Sequence, residues 1–354
     1  MIKNINIILL AGLTFFLIGC EEEPEATTSA AKLYSDGVLI VNEGPFGNGT
    51  GSITYSKRDW SFMEQNIYQV ANNGLPLGSV AQSLTVIGDK AYILVNNANT
   101  IEVVNRHNFK LISTIQNIEL PRFMIQVTEN KSYVTCWDGK IKVLDTEKDK
   151  VFYEIEGSAG QEKLLKVNNE AWVLNQGGYG VDSTITVINI TTNQIEQTIQ
   201  VYPRPSGICE DKQGLIWVIC SGRASYHTGG ASEGHLVAVN KSTYLVEKDF
   251  AFPDNIKQPS SLIINATGNE LFFLYPGGIN RFQIIEDTLV LSPFISYSGS
   301  FYSIGYDPKE NKIWASDALD YVQNGPVLVY DATTGIEIRS FKAGIVPTNF
   351  YFSE

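Results

Sequence analysis

Three histidines (His107, His227, His235) and four cysteines (Cys20, Cys136, Cys209, Cys220) are the whole supply of soft metal ligands in this 354-residue chain. They leave little for a metal centre or a disulfide framework. No His-Glu-x-x-His pair or phosphate-cradling glycine loop ahead of a helix occurs. The expectation is therefore a protein without catalysis, cofactor or bound metal. His227 falls in the longest loop, where it could reach a ligand, while His107 and His235 read as surface residues. Cys209 and Cys220 flank one hairpin turn that does not set them opposite each other. They and Cys136 read as buried free thiols. What the loops do hold is a set of aromatic, amide and a few charged side chains. Asn42, Glu43, Phe46, Asn96, Trp137, Gln176, Tyr179, Tyr226, Tyr275, Asp317 and Tyr321 fall between repeated strands, and Gln82, Arg122, Gln161, Arg204 and Tyr302 in the segments that join repeats. Aromatics offer contact area at low entropy cost, and amides donate and accept without charge. Such a set suits the binding of a large, mostly uncharged ligand. An Asn or Asp in a glycine-rich turn also serves as a turn former, so only their joint placement makes a site.

Positioning them requires a rigid frame, and the chain repeats itself. Six second strands share an aromatic at the third place: Lys90–Val95, Lys131–Cys136, Glu170–Asn175, Leu215–Cys220, Glu270–Tyr275 and Lys312–Asp317. Their starts lie 41, 39, 45, 55 and 42 residues apart. Third strands end in Asn or Asp (Asn105, Asp145, Asn189, Asn240, Asp331), whose side chains can bond the following turn. A period near forty with four strands per unit indicates a β-propeller. Ahead of the six units lie strands Gly37–Asn42, Ser52–Lys57 and Ser61–Gln69, and behind them one, Thr348–Phe352. Three plus one completes a seventh blade, so the prediction is an all-β, seven-bladed propeller whose first blade is closed by the C-terminal strand. Loops between second and third strands, long and glycine-rich, then share one face with the blade-to-blade connections, the natural place for binding.

Composition agrees with one large globular domain. The chain is 44% hydrophobic and 18% charged, with 17 Tyr and 17 Phe. Its net charge of −12 and lack of a Lys/Arg run argue against nucleic-acid phosphates as partner.

The start of the chain reads as an address. An apolar run from Ile5 to Ile18 follows Lys3 and ends in Leu17-Ile18-Gly19-Cys20, which resembles the lipobox of bacterial lipoproteins. The resemblance implies a signal peptide over residues 1–19 and lipidation of Cys20. Acyl chains anchor without spanning, at about 0.8 kcal/mol per buried methylene. Residues 20–32, opening Glu21-Glu22-Glu23, read as a flexible tether, and residues 33–354 as the propeller. Acidic residues after the lipidated cysteine also resemble the surface-export signal of Bacteroidetes lipoproteins, which implies the outer membrane, facing the medium.

Two resemblances bear on function. Asn42-Glu43-Gly44-Pro45 is similar to the Glu-Gly-Pro motif of gluconolactonase-type propellers, where that Glu binds a divalent metal; Asn175 and Asp317 would join it in a metal-dependent hydrolase. That family has six blades and its other motifs are not evident. The wider match is to Bacteroidetes surface propellers of YncE-like, YVTN-repeat type. It rests on Val41-Asn42-Glu43-Gly44-Pro45-Phe46-Gly47, Gly78–Leu84, Ala91–Asn97, Ile101–Val104, Asp317–Gln323 and Phe341–Pro347. That family includes the cobalamin-capturing BtuG lipoproteins. It implies a monomeric, lipid-anchored binder of a nutrient such as a corrinoid, delivering it to a TonB-dependent outer-membrane transporter. A protein- or glycan-binding scaffold is a further alternative.

Overall fold

The computed structural model describes residues 33–47 and 49–353. The expected signal peptide, the expected lipidation site Cys20 and the expected tether up to residue 32 lie outside the described residues. Seven four-stranded antiparallel sheets follow one another around a ring. From the innermost strand outward, the second blade is Ala81–Ile87, Lys90–Val95, Thr100–Asn105 and Leu111–Gln116. The third to seventh blades begin at Pro121–Thr128, Gln161–Val167, Pro205–Glu210, Ser260–Ile264 and Phe301–Asp307. In the first blade the innermost strand is Pro347–Phe352, from the far end of the chain, paired with Gly37–Asn42. Each innermost strand packs beside the next, and the ring closes between Pro347–Phe352 and Ala81–Ile87. No helix among the described residues is long and apolar enough to cross a membrane.

The second strands are buried from their second residue through their fifth, and mostly apolar there, because both sheet faces are covered. In Leu215–Cys220, Ile216 and Val218 pack toward the fourth blade while Trp217 and Ile219 pack toward the sixth. The same alternation fills the space between every pair of adjacent blades with its own apolar cluster. The six recurring aromatics, from Tyr92 to Trp314, are fully buried. Some latch one blade to the next. Tyr92 donates to Asp149 (2.8 Å) and Tyr133 to Asn193 (2.6 Å), both in the outer turn of the following blade. The terminal Asn and Asp of the third strands cap their turns as expected; Asn189 accepts from the amides of Thr191 and Thr192, and Asp331 from those of Thr333 and Thr334.

Two expectations are corrected. Ser61–Gln69 is not one strand: only Met63–Glu64 pairs, and a short helix, Ile67–Ala71, follows. Asn66 adopts a left-handed backbone (φ 56°) that ends the strand, and the helix instead buries Ile67 and Tyr68 between the first two blades. His235 is not a surface residue. It is buried, stacked on Tyr202 at 3.3 Å with its Nδ1 2.7 Å from Asp249. Cys136, Cys209 and Cys220 are buried free thiols, as their spacing suggested.

Candidate functional site

Register decides which ends of the blades carry the site. In the second blade Ala81 lies opposite Val95, Val95 opposite Thr100, and Thr100 opposite Gln116. Blade-to-blade segments and second-to-third loops therefore emerge at the same end, and this holds around the ring. At that end every innermost strand is irregular. Its ladder skips at the second residue, leaving Gln82, Arg122, Glu162, Ser206, Ser261, Tyr302 and Thr348 unopposed. A bulge redirects the side chain it releases. Six of these seven line a cavity of about 770 Å³ that runs into the central channel, together with Glu43 and Gln176. The residue just ahead of the strand is often left-handed as well, as at Val80, Leu120, Gly160, Arg204 and Val346.

The seventh of the set, Glu162, stands behind Arg122. Arg122 Nε donates to Glu162 Oε1 (3.0 Å), and Nη1 donates to Gln82 Oε1. Trp137 Nε1 donates to the same Glu162 oxygen (2.9 Å), and the Arg122 guanidinium lies 4.5 Å from the Trp137 ring centre. Tyr179 meets that ring edge-on at 5.2 Å. Arginine is thus held flat by a carboxylate, an amide and an aromatic face at once. Across the mouth Tyr302 donates to Glu43 Oε1 (3.0 Å) and its ring meets Tyr321 edge-on. Burial raises the Glu43 pKa, opposed by the hydroxyls of Thr348 and Tyr302 and by Arg122. Burial and then Glu43 raise the Tyr302 pKa, so its phenol stays a donor.

Of the residues singled out from sequence, Glu43, Gln82, Arg122, Gln176 and Tyr302 line the cavity. Trp137, Tyr179 and Tyr321 attach to them by the ring contacts above. Phe46, Tyr179, Tyr226 and Tyr321 are exposed at the rim, each more than half open to solvent. Arg204 donates from Nη1 to His227 Nε2 (2.8 Å), and desolvation together with Arg204 lowers the His227 pKa, keeping that ring a neutral acceptor. Tyr275 packs on Phe252 in the sixth-blade loop.

The remaining ones are turned into the scaffold. Asn42 is fully buried, donating to Ser52 and Thr54 and accepting from the Gly344 amide. Asn96 donates to the Pro121 carbonyl (3.1 Å). Gln161 is fully buried, and neither end of its amide has a protein partner. Asp317 accepts from the amides of Ser300 and Leu319. Asn175 donates to Thr184 and Thr186 in its own hairpin. Glu43, Asn175 and Asp317 therefore do not meet as one oxygen-rich set. Among the described residues no three His, Cys, Asp or Glu side chains are grouped to hold a metal.

Sequence reasoning missed Glu162, Ser206, Ser261 and Thr348. The signal was a constant position, the second residue of each innermost strand. In the fourth and fifth blades the eye falls instead on Gln161 and Arg204, one and two places too early.

Comparison with known proteins places this geometry. A family model described as a domain of unknown function (DUF5074) matches residues 36–353. No curated protein matches the chain. A quinonprotein alcohol dehydrogenase-like protein from Bacteroides thetaiotaomicron VPI-5482 superimposes with a TM-score of 0.68 at 15% identity, over 91% of this chain and 79% of that one. Hydrazine synthase of Kuenenia stuttgartiensis gives 0.59 at 12% identity, over 75% of this chain and 87% of that one. The computationally designed protein Ika8 gives 0.59 at 13% identity, over 91% and 93%. At these identities the likeness is one of fold.

Proposed function

The chain belongs to the DUF5074 family, and on that premise we propose that it is a binding scaffold that captures a large neutral nutrient, a cobalamin-like corrinoid, at the mouth of its channel. The observation that carries this reading is the ring of side chains at the second position of the innermost strands, Gln82, Arg122, Ser206, Ser261, Tyr302 and Thr348, opening into a cavity of about 770 Å³. Around it stand exposed aromatics at Phe46, Tyr179, Tyr226 and Tyr321. Amide and hydroxyl groups in the ring can match the amides that fringe a corrin, while the rim aromatics cover its edges. The innermost strands hold the ring rigid, so little ordering entropy is lost on capture. By the lipobox resemblance the protein is anchored at Cys20; by the export-signal resemblance it sits on the outer membrane, and by the propeller-family resemblance it works as a monomer and hands its ligand to a TonB-dependent transporter. Such a partner would compete for the solvent side of the bound molecule.

Isothermal titration with cyanocobalamin tests the reading. Saturable heat and a shift of the visible bands are expected, both weakened by Tyr179→Ala with Tyr321→Ala. Absence of heat at micromolar protein removes it. A second reading, a hydrolase centred on Glu43, draws on the raised pKa of that carboxyl in the channel; it requires turnover that Glu43→Gln abolishes.

A further inference from the structure

In the third, fourth and sixth blades the bulge of the innermost strand spans two residues. The extra residue is Phe123, Lys163 or Leu262, and all three line the channel. Two of the three are apolar, as expected for a packed wall, so the lysine stands out. Its Nζ lies 6.0 Å from the Phe123 ring centre. Among the described residues, no carboxylate lies within ion-pair distance of it. Arg122 is already committed to Glu162. Glu43, the one acid in the lining, is bonded by Tyr302. Burial pushes the Lys163 ammonium below its ordinary range, with Glu162 and Cys209 acting the other way. Burial also pushes the Cys209 thiol up, so no thiolate balances the lysine. A cation placed in a partly desolvated channel without a counter-charge is costly. An arriving anion would repay that cost, and Ser260 and Ser261 put hydroxyl donors in the same lining.

We propose that Lys163 anchors an anion subsite inside the channel, which takes one carboxylate or phosphate group of a small ligand whose body rests at the mouth. The placing of that body rests on the reading of the mouth as a binding site; the anion chemistry of Lys163 stands apart from it.

Thermal unfolding at fixed ionic strength, with chloride exchanged for inorganic phosphate or for acetate, tests the subsite. Both anions raise stability generally by exclusion, so the saturable part of the response is what counts. The wild-type midpoint is expected to rise saturably with at least one anion, and the arm that responds tells phosphate from carboxylate. Lys163→Met should weaken the apparent affinity at least about tenfold, Lys163→Arg should retain it, and Lys110→Met, at an exposed position just ahead of an outer strand, should match wild type. Far-UV circular dichroism checks that each variant folds, and Lys163→Gln replaces Lys163→Met if that variant does not. A non-saturating wild-type response, or the same saturation in the neutral variants, overturns the proposal. Cyanocobalamin titrated into the same proteins separates the two readings: an intact anion response without cobalamin heat removes only the corrinoid.

Discussion

Tyr302 donates its hydroxyl to Glu43 over 3.0 Å, joining the innermost strand of the seventh blade to the loop of the adjacent first blade at the channel mouth. The main chain repeats the link, since the amides of Glu43 and Gly44 donate to the carbonyls of Val346 and Ile345. A carboxyl held there by burial and one phenol is a natural reporter on the mouth.

Its titration has a definite sign. Burial raises the folded-state pKa of Glu43 above its ordinary 4.5. Between those two values the folded protein keeps a proton that the unfolded chain releases. The stability this group contributes is therefore complete below the unfolded pKa and is lost as pH rises through the folded one. Glu43→Gln removes that dependence and leaves an acceptor for Tyr302. The variant should unfold at a higher temperature than wild type at pH 7, with the difference closing near pH 4. A difference unchanged across that span contradicts the assigned cause.

Arg122 and Glu162 form a pair in which the carboxylate is only 8% exposed. Removing the arginine leaves that charge without its counter-ion and with only the Trp137 indole donating to it. Arg122→Ala should cost about 3 to 5 kcal/mol in urea unfolding. The double variant Arg122→Met with Glu162→Met should recover much of the loss, because no buried charge is left alone. A double variant as unstable as the single one would show that packing on Trp137 dominates.

Gly160 lies where two backbones nearly touch. It holds φ +68°, and a Cβ there would come within 1.7 Å of the Gly178 nitrogen. Gly160→Ala must push the loop that carries Tyr179 away from Trp137. A loss of more than about 1 kcal/mol is expected, with a changed tryptophan emission as the Tyr179 contact opens. Unaltered emission and stability would mean that the loop relocates freely.

Closure of the ring predicts the effect of truncation. A chain ended at Val346 lacks the innermost strand of the first blade and exposes the Gly37–Asn42 edge. It also leaves Arg58 without its partner in Ser353, while Arg58 still faces the fully buried Asp307 at 2.8 Å. Thermal unfolding of the truncated chain should lose its single sharp transition, and size-exclusion chromatography should show association through the open edge. A sharp monomeric transition would show that six blades suffice.

Legibility from sequence followed how far a residue's environment repeats. The second strands were readable to the residue, since burial on both faces favours a mostly apolar run with one large ring at a fixed place. The terminal Asn and Asp of the third strands were readable because their turns need a side-chain acceptor. The sixth blade escaped that rule: its third strand, Gly278–Gln283, ends in Gln. Met63–Glu64 was obscured by Asn66, whose left-handed backbone converts an extended-looking stretch into a helix. At the site the obstacle was the bulge. Simple alternation assigns alternate residues to alternate faces, and a skipped ladder position breaks that count where it matters. Gln161 in place of Glu162 is an error of this kind; Arg204 lies just ahead of its strand, where a left-handed backbone takes it out of the count.

The pairing of Pro347–Phe352 with Gly37–Asn42 also fixes an order of events during synthesis. The ribosome makes the first blade's outer strands early but its innermost strand only after the other six blades, so the earliest sheet must wait, incomplete, for all of them. Thr348 and the Val346 carbonyl that holds Glu43 arrive in the same final stretch. Until that strand is made the nascent chain has blades but no finished mouth, so the channel opening takes shape only after the other six sheets are complete.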